Sequence, residues 1–430
     1  MNYKNKKVVI MGLGRIATGA GFSSAVFMAR QKAKVIVTDL NKPSRLNKES
    51  IQKLKKCPNI KLVLGRHQEK DIINADLIIR NPAVKPNSPY LLLAKKHKVK
   101  ITTDLEIFFE EIKNKKITII GITGTRGKST TTSLVYNILK AKYKNRVFLG
   151  GNIGNSPLNF VNKLKDNDIV VMEVASFQLN DIKNYHFNIA AITNILPDHL
   201  DYYASMSAYQ KDKEKIFATQ NQQDYIILNR LDPKLNKINP QKIKSQIIYS
   251  AKNKQIKLAN IKLIGEHNLF NIDVAWQIAK LMKVPDSETK EVITNFSGVK
   301  DRLQLIRSLN GVKYYNDTTA THPKATVVAL QSFLKNNIIL ISGGNSKNLP
   351  LGEMVREIKK RVKHLILVPG NANFLLPVGV NVPNIQTAVK KAVSLAKKGD
   401  VVLFSPGLTW LPRINEFKRG EIFTELVKKL

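Results

Sequence analysis

The feature that most constrains this chain is a glycine-rich turn between an apolar run and a helix-like segment, within ITIIGITGTRGKSTTTSLVYNIL at residues 117–139. The apolar run predicts a buried strand, and the residues that follow the turn predict a helix that begins near Lys128. Glycines let a backbone approach a ligand closely, and the N-terminus of a helix favours anions. The stretch therefore predicts a phosphate-binding loop in an α/β protein.

The glycine spacing of this turn is not that of the common Walker loop, G-x-x-x-x-G-K-[ST], because Ile122 stands where its first glycine would be. The sequence has a short form, G-T-x-G-K-[ST], and its serine is placed to ligate Mg²⁺. The alternative interpretation is a glycine-rich turn without a phosphate-binding role, in which the sequence Gly-Lys-Ser occurs by chance. The candidate ATP-binding residues here are Gly124, Thr125, Arg126, Gly127, Lys128, Ser129 and Thr130.

The order of predicted elements indicates three α/β domains in series. The chain has 430 residues, of which 43% are hydrophobic, so it is long enough for two or three domains, each with a hydrophobic core. Strands and helices alternate, and the alternation restarts twice. We expect a Rossmann-like domain at 1–97, a central ATPase-like domain with a parallel sheet at 98–298, and a Rossmann-like domain at 299–430.

The net charge of +38 would usually suggest nucleic acid or an anionic membrane as partner. Here the lysines are spread along the whole chain, with no dense basic tail, so we predict anionic small molecules instead and no nucleic acid. No apolar run reaches the ~18 residues of a membrane span. Because Arg15 interrupts the apolar N-terminal stretch, we predict that this stretch forms a strand and is not a signal peptide. The single cysteine, Cys57, fits a reducing cytoplasm, and we predict a cytoplasmic monomer.

Further motifs follow the loop in a fixed order. Glu173 ends the run VVME, His199 and Lys213 lie in TNILPDHLDYYASMSAYQKDKEKIF, and Arg302 and Asp317 lie in GVKDRLQLI and YYNDTTATHPKA. Each alone is weak, since a carboxylate at a strand end is often a cap and a lone histidine is usually structural. Together, their order and spacing resemble the Mur ligase family over nearly the whole chain. Enzymes of that family join an amino acid to a carboxylate with ATP.

The first domain separates branches of this family. GLGRIATGAG with VIVTDL is similar to a dinucleotide fingerprint, but Ala17 breaks the strict pattern and an ATP-type loop follows. In Mur ligases a Rossmann-like first domain binds the UDP of the substrate, whereas folylpolyglutamate synthase lacks that domain. The two ends of the chain most resemble the glutamate-adding branch. The resemblance implies that Gly14 and Asp39 contact the UDP substrate, and a loop cap is the alternative for Asp39.

The resemblance implies that UDP-N-acetylmuramoyl-L-alanine, ATP and D-glutamate are the substrates. The alanine carboxylate would attack the γ-phosphate to form an acyl phosphate, which the glutamate amine would then attack. Carboxylate and triphosphate repel each other, so cations must surround them. The resemblance implies two Mg²⁺ sites and catalytic roles for Lys128, His199 and Lys213. The implied metal-site residues are Ser129, Glu173, His199 and Lys213.

A lysine ammonium cannot bind a cation, and the family resemblance implies that Lys213 is carbamylated by CO₂. Lys211 and Lys215 are nearby alternatives, and a solvated lysine on a basic helix face is another. The remaining contacts implied by the resemblance fall into three groups. They are Asn271, Arg302 and Asp317 for ATP; Asn152, Ser176 and Gln178 for the sugar and alanine end; and Thr321, Lys347, Thr409 and Phe417 for glutamate.

Two departures from the family pattern fall near the predicted glutamate site. Thr319 stands where lysine is common, and Thr409 or Trp410 stands where a serine would receive a glutamate carboxylate. A threonine hydroxyl can do that work, whereas an indole offers one donor in a bulky frame. A variant branch of the family adds L-glutamate. That variant, another Mur or folylpolyglutamate-type ligase, and a nucleotide-binding protein without catalysis stay open as alternatives.

Overall fold

A computed structural model describes residues 2–14, 16–197, 203, 205–257, 261–333, 337–346, 349–409 and 416–430. The chain forms two compact units. The first comprises Met1–Lys252 with Phe270–Thr289, and the second comprises Asn253–Leu269 with Lys290–Leu430. Within the described residues, no helix combines the length and apolar character needed to cross a membrane.

The structure contains the strands and helices that alternation predicts, with several additions. The strands are β1 (Lys7–Met11), β2 (Lys34–Asp39), β3 (Ile60–Leu64), β4 (Leu77–Arg80), β5 (Lys100–Thr102), β6 (Thr118–Thr123), β7 (Val147–Gly151), β8 (Ile169–Glu173), β9 (Ile189–Ile192), β10 (Tyr225–Asn229), β11 (Gln246–Ser250), β12 (Gln304–Leu309), β13 (Val312–Asn316), β14 (Ile338–Ser342), β15 (Val362–Leu367), β16 (Val380–Asn381) and β17 (Val401–Phe404). The helices are α1 (Ala20–Arg30), α2 (Lys48–Lys55), α3 (Glu69–Ile73), α4 (Pro89–Lys96), α5 (Asp104–Ile112), α6 (Lys128–Tyr143), α7 (Ser176–Asp181), α8 (Met206–Glu214), α9 (Asn268–Leu281), α10 (Asp286–Asn295), α11 (Pro323–Gln331), α12 (Gly352–Arg361), α13 (Ile385–Leu395) and α14 (Glu416–Lys428).

The first sheet of the first unit is parallel, with strand order β3-β2-β1-β4-β5. Along β1, Val8 and Ile10 pack into one core while Val9 and Met11 pack into another, so both faces of the strand are buried. Burial on both faces explains why the strand reads as a continuous apolar run. The strand order reverses between β1 and β4, where open α/β sheets bind their ligands. The sheet runs past residue 97, the predicted end of the first domain, to Thr102.

The second sheet of this unit is also parallel, with strand order β11-β10-β9-β6-β8-β7. The glycine-rich turn joins β6 to α6, which confirms the predicted strand-loop-helix arrangement. Ile122 of β6 is paired with Glu173 of β8. Because the carboxyl ends of parallel strands share one edge of a sheet, the turn and Glu173 lie at the same edge.

The second unit contains the third sheet, with strand order β12-β13-β17-β14-β15-β16. Its strands pair in parallel except for β12, which is antiparallel to β13. The carboxyl ends of β13, β17 and β14 are neighbours, so the segments that follow these strands meet at one edge. The α/β fold class is confirmed. The antiparallel edge strand β12 and the helix α14 are additions that the sequence analysis did not predict.

Candidate active site

The phosphate loop, residues 124–130, requires glycine at two positions. Gly124 and Gly127 have φ values of +144° and +84°. A Cβ atom added to Gly124 would lie 1.9 Å from Thr193 Oγ1, and one added to Gly127 would lie 2.2 Å from Asn271 Oδ1. Both the backbone conformation and the close approach of neighbouring side chains therefore exclude other residues at these positions.

The residues that follow β9 hold the phosphate loop. Arg126 O accepts hydrogen bonds from Thr193 Oγ1 at 2.6 Å and Asn194 Nδ2 at 3.0 Å. Thr125 N donates to Asn194 O at 2.9 Å. The sequence analysis did not identify Thr193 or Asn194. The available signal in the sequence was that these polar residues directly follow a buried apolar run. That run forms β9, which pairs with β6, so the residues after both strands lie at one edge of the sheet.

Two lysines converge on one carbonyl oxygen of the loop. Lys128 Nζ donates to Gly124 O at 2.9 Å and to Thr125 O at 3.1 Å. Lys213 Nζ donates to the same Gly124 O at 2.8 Å, and its side chain is 1% exposed. Lys213 Nζ also lies 4.5 Å from the centre of the Tyr209 ring. The fold thus brings together two lysines that are 85 positions apart in the sequence.

The alternative lysines on the same segment lie elsewhere. Lys211 is exposed, and Lys215 forms an ion pair with Asp212 at 2.8 Å. Of the three, Lys213 is the one whose ammonium group reaches the phosphate loop. Burial of that side chain against the loop argues against a solvated lysine on a helix face.

Glu173 has a buried oxygen atom that fits a cation. The side chain is 2% exposed, and Oε1 accepts a hydrogen bond from Asn152 Nδ2 at 2.9 Å. Oε2 is buried and accepts no hydrogen bond from any described residue. A buried, unsatisfied carboxylate oxygen is costly unless a cation or donor meets it. Together with the buried Ser129 hydroxyl, this oxygen fits the hard oxygen ligands that Mg²⁺ prefers.

The structure describes three of the four predicted metal-site residues, namely Ser129, Glu173 and Lys213. The described part of the chain holds no group of three or more His, Cys, Asp or Glu side chains able to bind a metal. His199, the fourth predicted metal-site residue, lies outside the described residues. Glu173 Oε2 is therefore a described atom that fits a metal ion, and Ser129 as a second ligand stays a prediction.

Of the residues predicted to orient the sugar and alanine end, Asn152 contacts Glu173, while Ser176 and Gln178 lie in α7, which follows Glu173 in the chain. Asn152 N donates to Glu173 O at 2.8 Å, in addition to the side-chain bond. Gln178 Oε1 accepts from Ala175 N at 3.0 Å and so caps α7, and the buried Ser176 is the first residue of that helix. These contacts support the Glu173 segment. Their predicted contacts to substrate stay predictions.

At the edge of the first sheet, Asp39 organises the loop that carries Gly14. Its Oδ2 accepts from Leu13 N at 2.9 Å and Gly14 N at 3.3 Å, and its Oδ1 accepts from Asn41 N at 2.8 Å. Gly14 has a φ of +78°. These contacts match the loop-cap interpretation of Asp39, and contact with the UDP substrate stays a prediction for both residues.

Thr18 connects the two sheets of the first unit, and the sequence analysis did not identify it. Its Oγ1 donates to Gly154 O at 2.6 Å, and its carbonyl oxygen accepts from Ser156 N at 2.9 Å. The segment that follows β1 is thereby bonded to the segment that follows β7, which also carries Asn152. Asn152 of that second segment in turn bonds Glu173.

In the second unit, Asp317 is a buried carboxyl group at the end of β13. Ser405 Oγ donates to its Oδ2 at 2.7 Å, and Leu303 N donates to its Oδ1 at 3.1 Å. Burial raises the pKa of Asp317 to about 7, although these bonds and the charges of Arg302 and Arg419 lower it. Arg302 itself is exposed. The contact of both residues with ATP stays a prediction.

A surface depression in the second unit contains two predicted glutamate-binding residues, Thr321 and Thr409. Thr409 is 6% exposed, and its Oγ1 donates to Asn345 O at 2.9 Å. Lys347 and Trp410 lie outside the described residues, and Phe417, 37% exposed, is not among the lining residues. The lining residues are Thr321, Pro323, Asn345, Ser346, Leu349, Leu351, Gly407, Leu408 and Thr409.

Two other predicted positions have clear local roles. Thr319, where lysine is common in the family, donates from Oγ1 to Asp301 O at 2.9 Å, so its hydroxyl supports the neighbouring turn. Asn271 is 4% exposed and accepts from Thr131 Oγ1 at 3.3 Å, beside Gly127. The Asn271 side chain therefore packs against Gly127 of the phosphate loop.

The sheets and the loop define the class: an α/β protein whose glycine-rich loop, between a strand and a helix, lies at the same sheet edge as a buried acidic side chain. Family models then divide the chain into three parts. A MurD-like N-terminal domain of Mur ligases matches residues 6–103, the Mur ligase middle domain matches 122–279, and the Mur ligase glutamate ligase domain matches 301–408.

Curated relatives match over the full length. A UDP-N-acetylmuramoylalanine–D-glutamate ligase from Borreliella afzelii (strain PKo) is 35% identical and covers 99% of this chain and 98% of its own. A protein of the same name from Roseiflexus sp. (strain RS-1) is 34% identical and covers 100% of this chain and 99% of its own. The chain belongs to the Mur ligase family.

Solved structures show the same fold at lower identity. UDP-N-acetylmuramate-alanine ligase MurC from Thermotoga maritima superposes with a TM-score of 0.64 at 20% identity, covering 99% of each chain. MurF ligase from Thermotoga maritima, solved in complex with ADP, has a TM-score of 0.58 at 19% identity, covering 92% of this chain and 95% of its own.

Proposed function

We propose that this chain is an ATP-dependent ligase that joins D-glutamate to UDP-N-acetylmuramoyl-L-alanine, a step of peptidoglycan precursor synthesis. The observation that carries this proposal is the full-length match to relatives that bear the name of that activity. The buried Glu173 beside the phosphate loop and the threonine-lined depression support it, since they suit a phosphoryl-transfer site and an amino-acid site.

In the first step, the alanine carboxylate attacks the γ-phosphorus of ATP, the bond to the β-γ bridging oxygen breaks, and ADP leaves. The phosphate loop binds the phosphates through its backbone N–H groups and through Lys128. Thr193 and Asn194 keep this loop in place through Arg126 O. Mg²⁺, held by Ser129 and Glu173, would neutralise charge between the two anions.

In the second step, the glutamate amine attacks the acyl phosphate, and inorganic phosphate leaves from a tetrahedral intermediate. The acceptor amino acid lies at the depression that Thr321 and Thr409 line. To donate to a glutamate carboxylate, the Thr409 hydroxyl would have to turn away from Asn345 O. Lys347 and Phe417 belong to this proposed site through the family resemblance. Asn271, Arg302 and Asp317 belong to the proposed ATP site in the same way.

We propose further that Lys213 is carbamylated. Its neutral amine adds to the carbon of CO₂, one proton is released, and the product is a carboxylate that can ligate the second Mg²⁺ with His199. The buried position of Lys213 against Gly124 O supports this assignment. ¹³C-bicarbonate should give a carbamate NMR signal in the wild-type protein and in Lys211→Met, but not in Lys213→Met. A signal that survives in Lys213→Met would refute the assignment.

The proposed activity is tested by phosphate release from ATP with UDP-N-acetylmuramoyl-L-alanine and D-glutamate, L-glutamate or no amino acid. Release that depends on D-glutamate supports the proposal, and Lys128→Met should abolish it. Release with L-glutamate alone would assign the chain to the L-glutamate-adding branch. ATP binding without release under any condition would favour a non-catalytic nucleotide-binding protein.

The cellular setting is proposed with the activity. We infer a monomer in the cytoplasm, where ATP and the nucleotide-linked sugar are available, with no nucleic-acid partner. Light scattering of the purified protein measures its mass in solution. A mass of twice the 48.4 kDa of one chain would contradict the monomer. The domain boundaries at 97/98 and 298/299 stay predictions.

A further inference from the structure

Arg419 is the largest fully buried side chain among the described residues, with an exposed fraction of 0%. It lies in the first turn of α14, a helix that the sequence analysis did not predict. A guanidinium keeps its charge at any working pH, and burying it is costly unless its donors are matched. A buried guanidinium is therefore expected to donate to well-placed acceptors.

The guanidinium of Arg419 joins two segments that follow neighbouring strands. Nε donates to Thr318 Oγ1 at 3.0 Å, and Nη2 donates to Thr318 O at 2.9 Å. Nη1 donates to Thr409 O at 2.8 Å. One planar group thus bonds the segment after β13, residues 317–321, to the segment after β17, residues 405–409.

Both segments carry residues of the proposed active site. Thr318 directly follows Asp317, and Thr321 and Thr409 line the depression proposed for the acceptor amino acid. The positive charge of Arg419 is also one of the factors that lower the pKa of Asp317. Arg419 itself is fully buried and is not among the residues that line the depression.

Backbone packing around these segments leaves little freedom for another arrangement. A Cβ atom at Gly420 would lie 2.4 Å from Thr318 Cγ2, so α14 approaches residue 318 closely. A Cβ atom at Gly344 would lie 2.3 Å from Thr409 O, the oxygen that Arg419 holds. The position of that carbonyl is therefore fixed from two sides.

We propose that Arg419 is a positioning residue: it holds residues 317–321 and 405–409 in one arrangement and thereby sets the affinity for the acceptor amino acid. The proposal rests on the function proposed above, because it takes the depression as the amino-acid site. Arg419 does not touch the reacting atoms. It acts through Thr318 and Thr409, and it needs the forked geometry of a guanidinium, which lysine lacks.

The kinetic test compares Arg419→Lys and Arg419→Met with Arg307→Met. Arg307 is the matched control because it also bonds α14, through Lys428 O at 2.8 Å, but far along the helix from residue 419. We expect both Arg419 variants to raise the KM for glutamate about tenfold, the effect of weakening one charge-assisted hydrogen bond. The KM for UDP-N-acetylmuramoyl-L-alanine should stay unchanged, as should every constant of Arg307→Met.

A second variant keeps the test decisive if Arg419→Met does not fold. Thr318→Val removes the hydroxyl that accepts from Nε and keeps the side-chain shape, and it should raise the KM for glutamate in the same direction. In the Arg419→Lys background, Thr318→Val should add little, because the two residues act together. Equal changes in all KM values, or none, would overturn the positioning role.

Hydrogen exchange separates this proposal from the proposed function. Thr409 N donates to Asn345 O at 3.1 Å, so its exchange reports on the order of that segment. Exchange at residues 405–409 and 317–321 should accelerate in Arg419→Lys and not in Arg307→Met. Unchanged exchange would overturn the proposal. If the wild-type protein uses no amino acid, the proposed function fails, while accelerated exchange would still establish that Arg419 orders both segments.

Discussion

Substitution of Gly127 by alanine should destabilise the protein more than substitution of an equivalent glycine elsewhere in the same unit. Gly127 has a φ of +84°, a conformation that costs an L-residue about 1–2 kcal/mol. Its added Cβ would also lie 2.2 Å from Asn271 Oδ1. Relief of that clash must displace Asn271, and the buried hydrogen bond from Thr131 Oγ1 is then lost.

The magnitude follows from these two contributions. Loss of a buried hydrogen bond costs about 1–3 kcal/mol, since the Thr131 hydroxyl is left without it in a fully buried place. Gly127→Ala should therefore lower the free energy of unfolding by about 2–5 kcal/mol. Gly65→Ala is the matched control, with a φ of +90° and no atom closer than 3.7 Å to its added Cβ. The control should lose about 1–2 kcal/mol.

Urea denaturation followed by circular dichroism measures both losses, and calorimetric titration measures ATP binding. Asn271→Ala removes the atom that clashes, so Gly127→Ala should cost less in that background than in the wild type. ATP affinity should fall in Gly127→Ala and stay unchanged in Gly65→Ala. If the two alanine variants lose equal stability, or if Asn271→Ala brings no relief, the steric account of the phosphate loop is wrong.

Two further predictions concern buried carboxyl groups. Glu173→Gln should raise the Mg²⁺ concentration for half-maximal phosphate release by about tenfold or more. Asn152→Ala, which removes a supporting hydrogen bond, should raise that concentration less. Equal Mg²⁺ curves for Glu173→Gln and the wild type would contradict the metal assignment. Asp317 has a pKa of about 7 in the folded chain and an ordinary value of 3.8, so the folded state retains a proton that the unfolded state has lost between these pH values. Stability should therefore fall as pH rises through this window in the wild type and fall less in Asp317→Asn, as measured by urea midpoints at about pH 5 and pH 8. Parallel pH dependence in the two proteins would show that burial does not perturb this carboxyl group.

The sequence by itself determined the local parts of this site. A buried apolar run, two glycines and a following Lys-Ser pair predicted a strand, a loop and a helix, and the strand and the helix occur where expected with the loop between them. Phosphate binding by that loop stays a prediction. Such predictions succeed because periodicity and glycine act through the backbone over a few residues. The repeated alternation of strands and helices likewise predicted the α/β class, and the family match agrees with the motif order.

Tertiary structure decided which side chains meet. Sequence left Lys211, Lys213 and Lys215 as alternatives, and packing places Lys213 on the phosphate loop. Sequence also left two interpretations of Asp39, whose contacts now match the loop cap.

No distinctive local signal in the sequence marks four residues of the site, Thr18, Thr193, Asn194 and Arg419. Each of them donates a hydrogen bond to a backbone carbonyl oxygen of a different segment of the chain. Arg419 bonds Thr318 across 101 positions, and Thr193 bonds Arg126 across 67. Such contacts depend on the order in which strands assemble into each sheet, since that order decides which chain segments share an edge. That order is a property of the packed whole, set by burial of both faces of every sheet, and no short stretch of the chain specifies it.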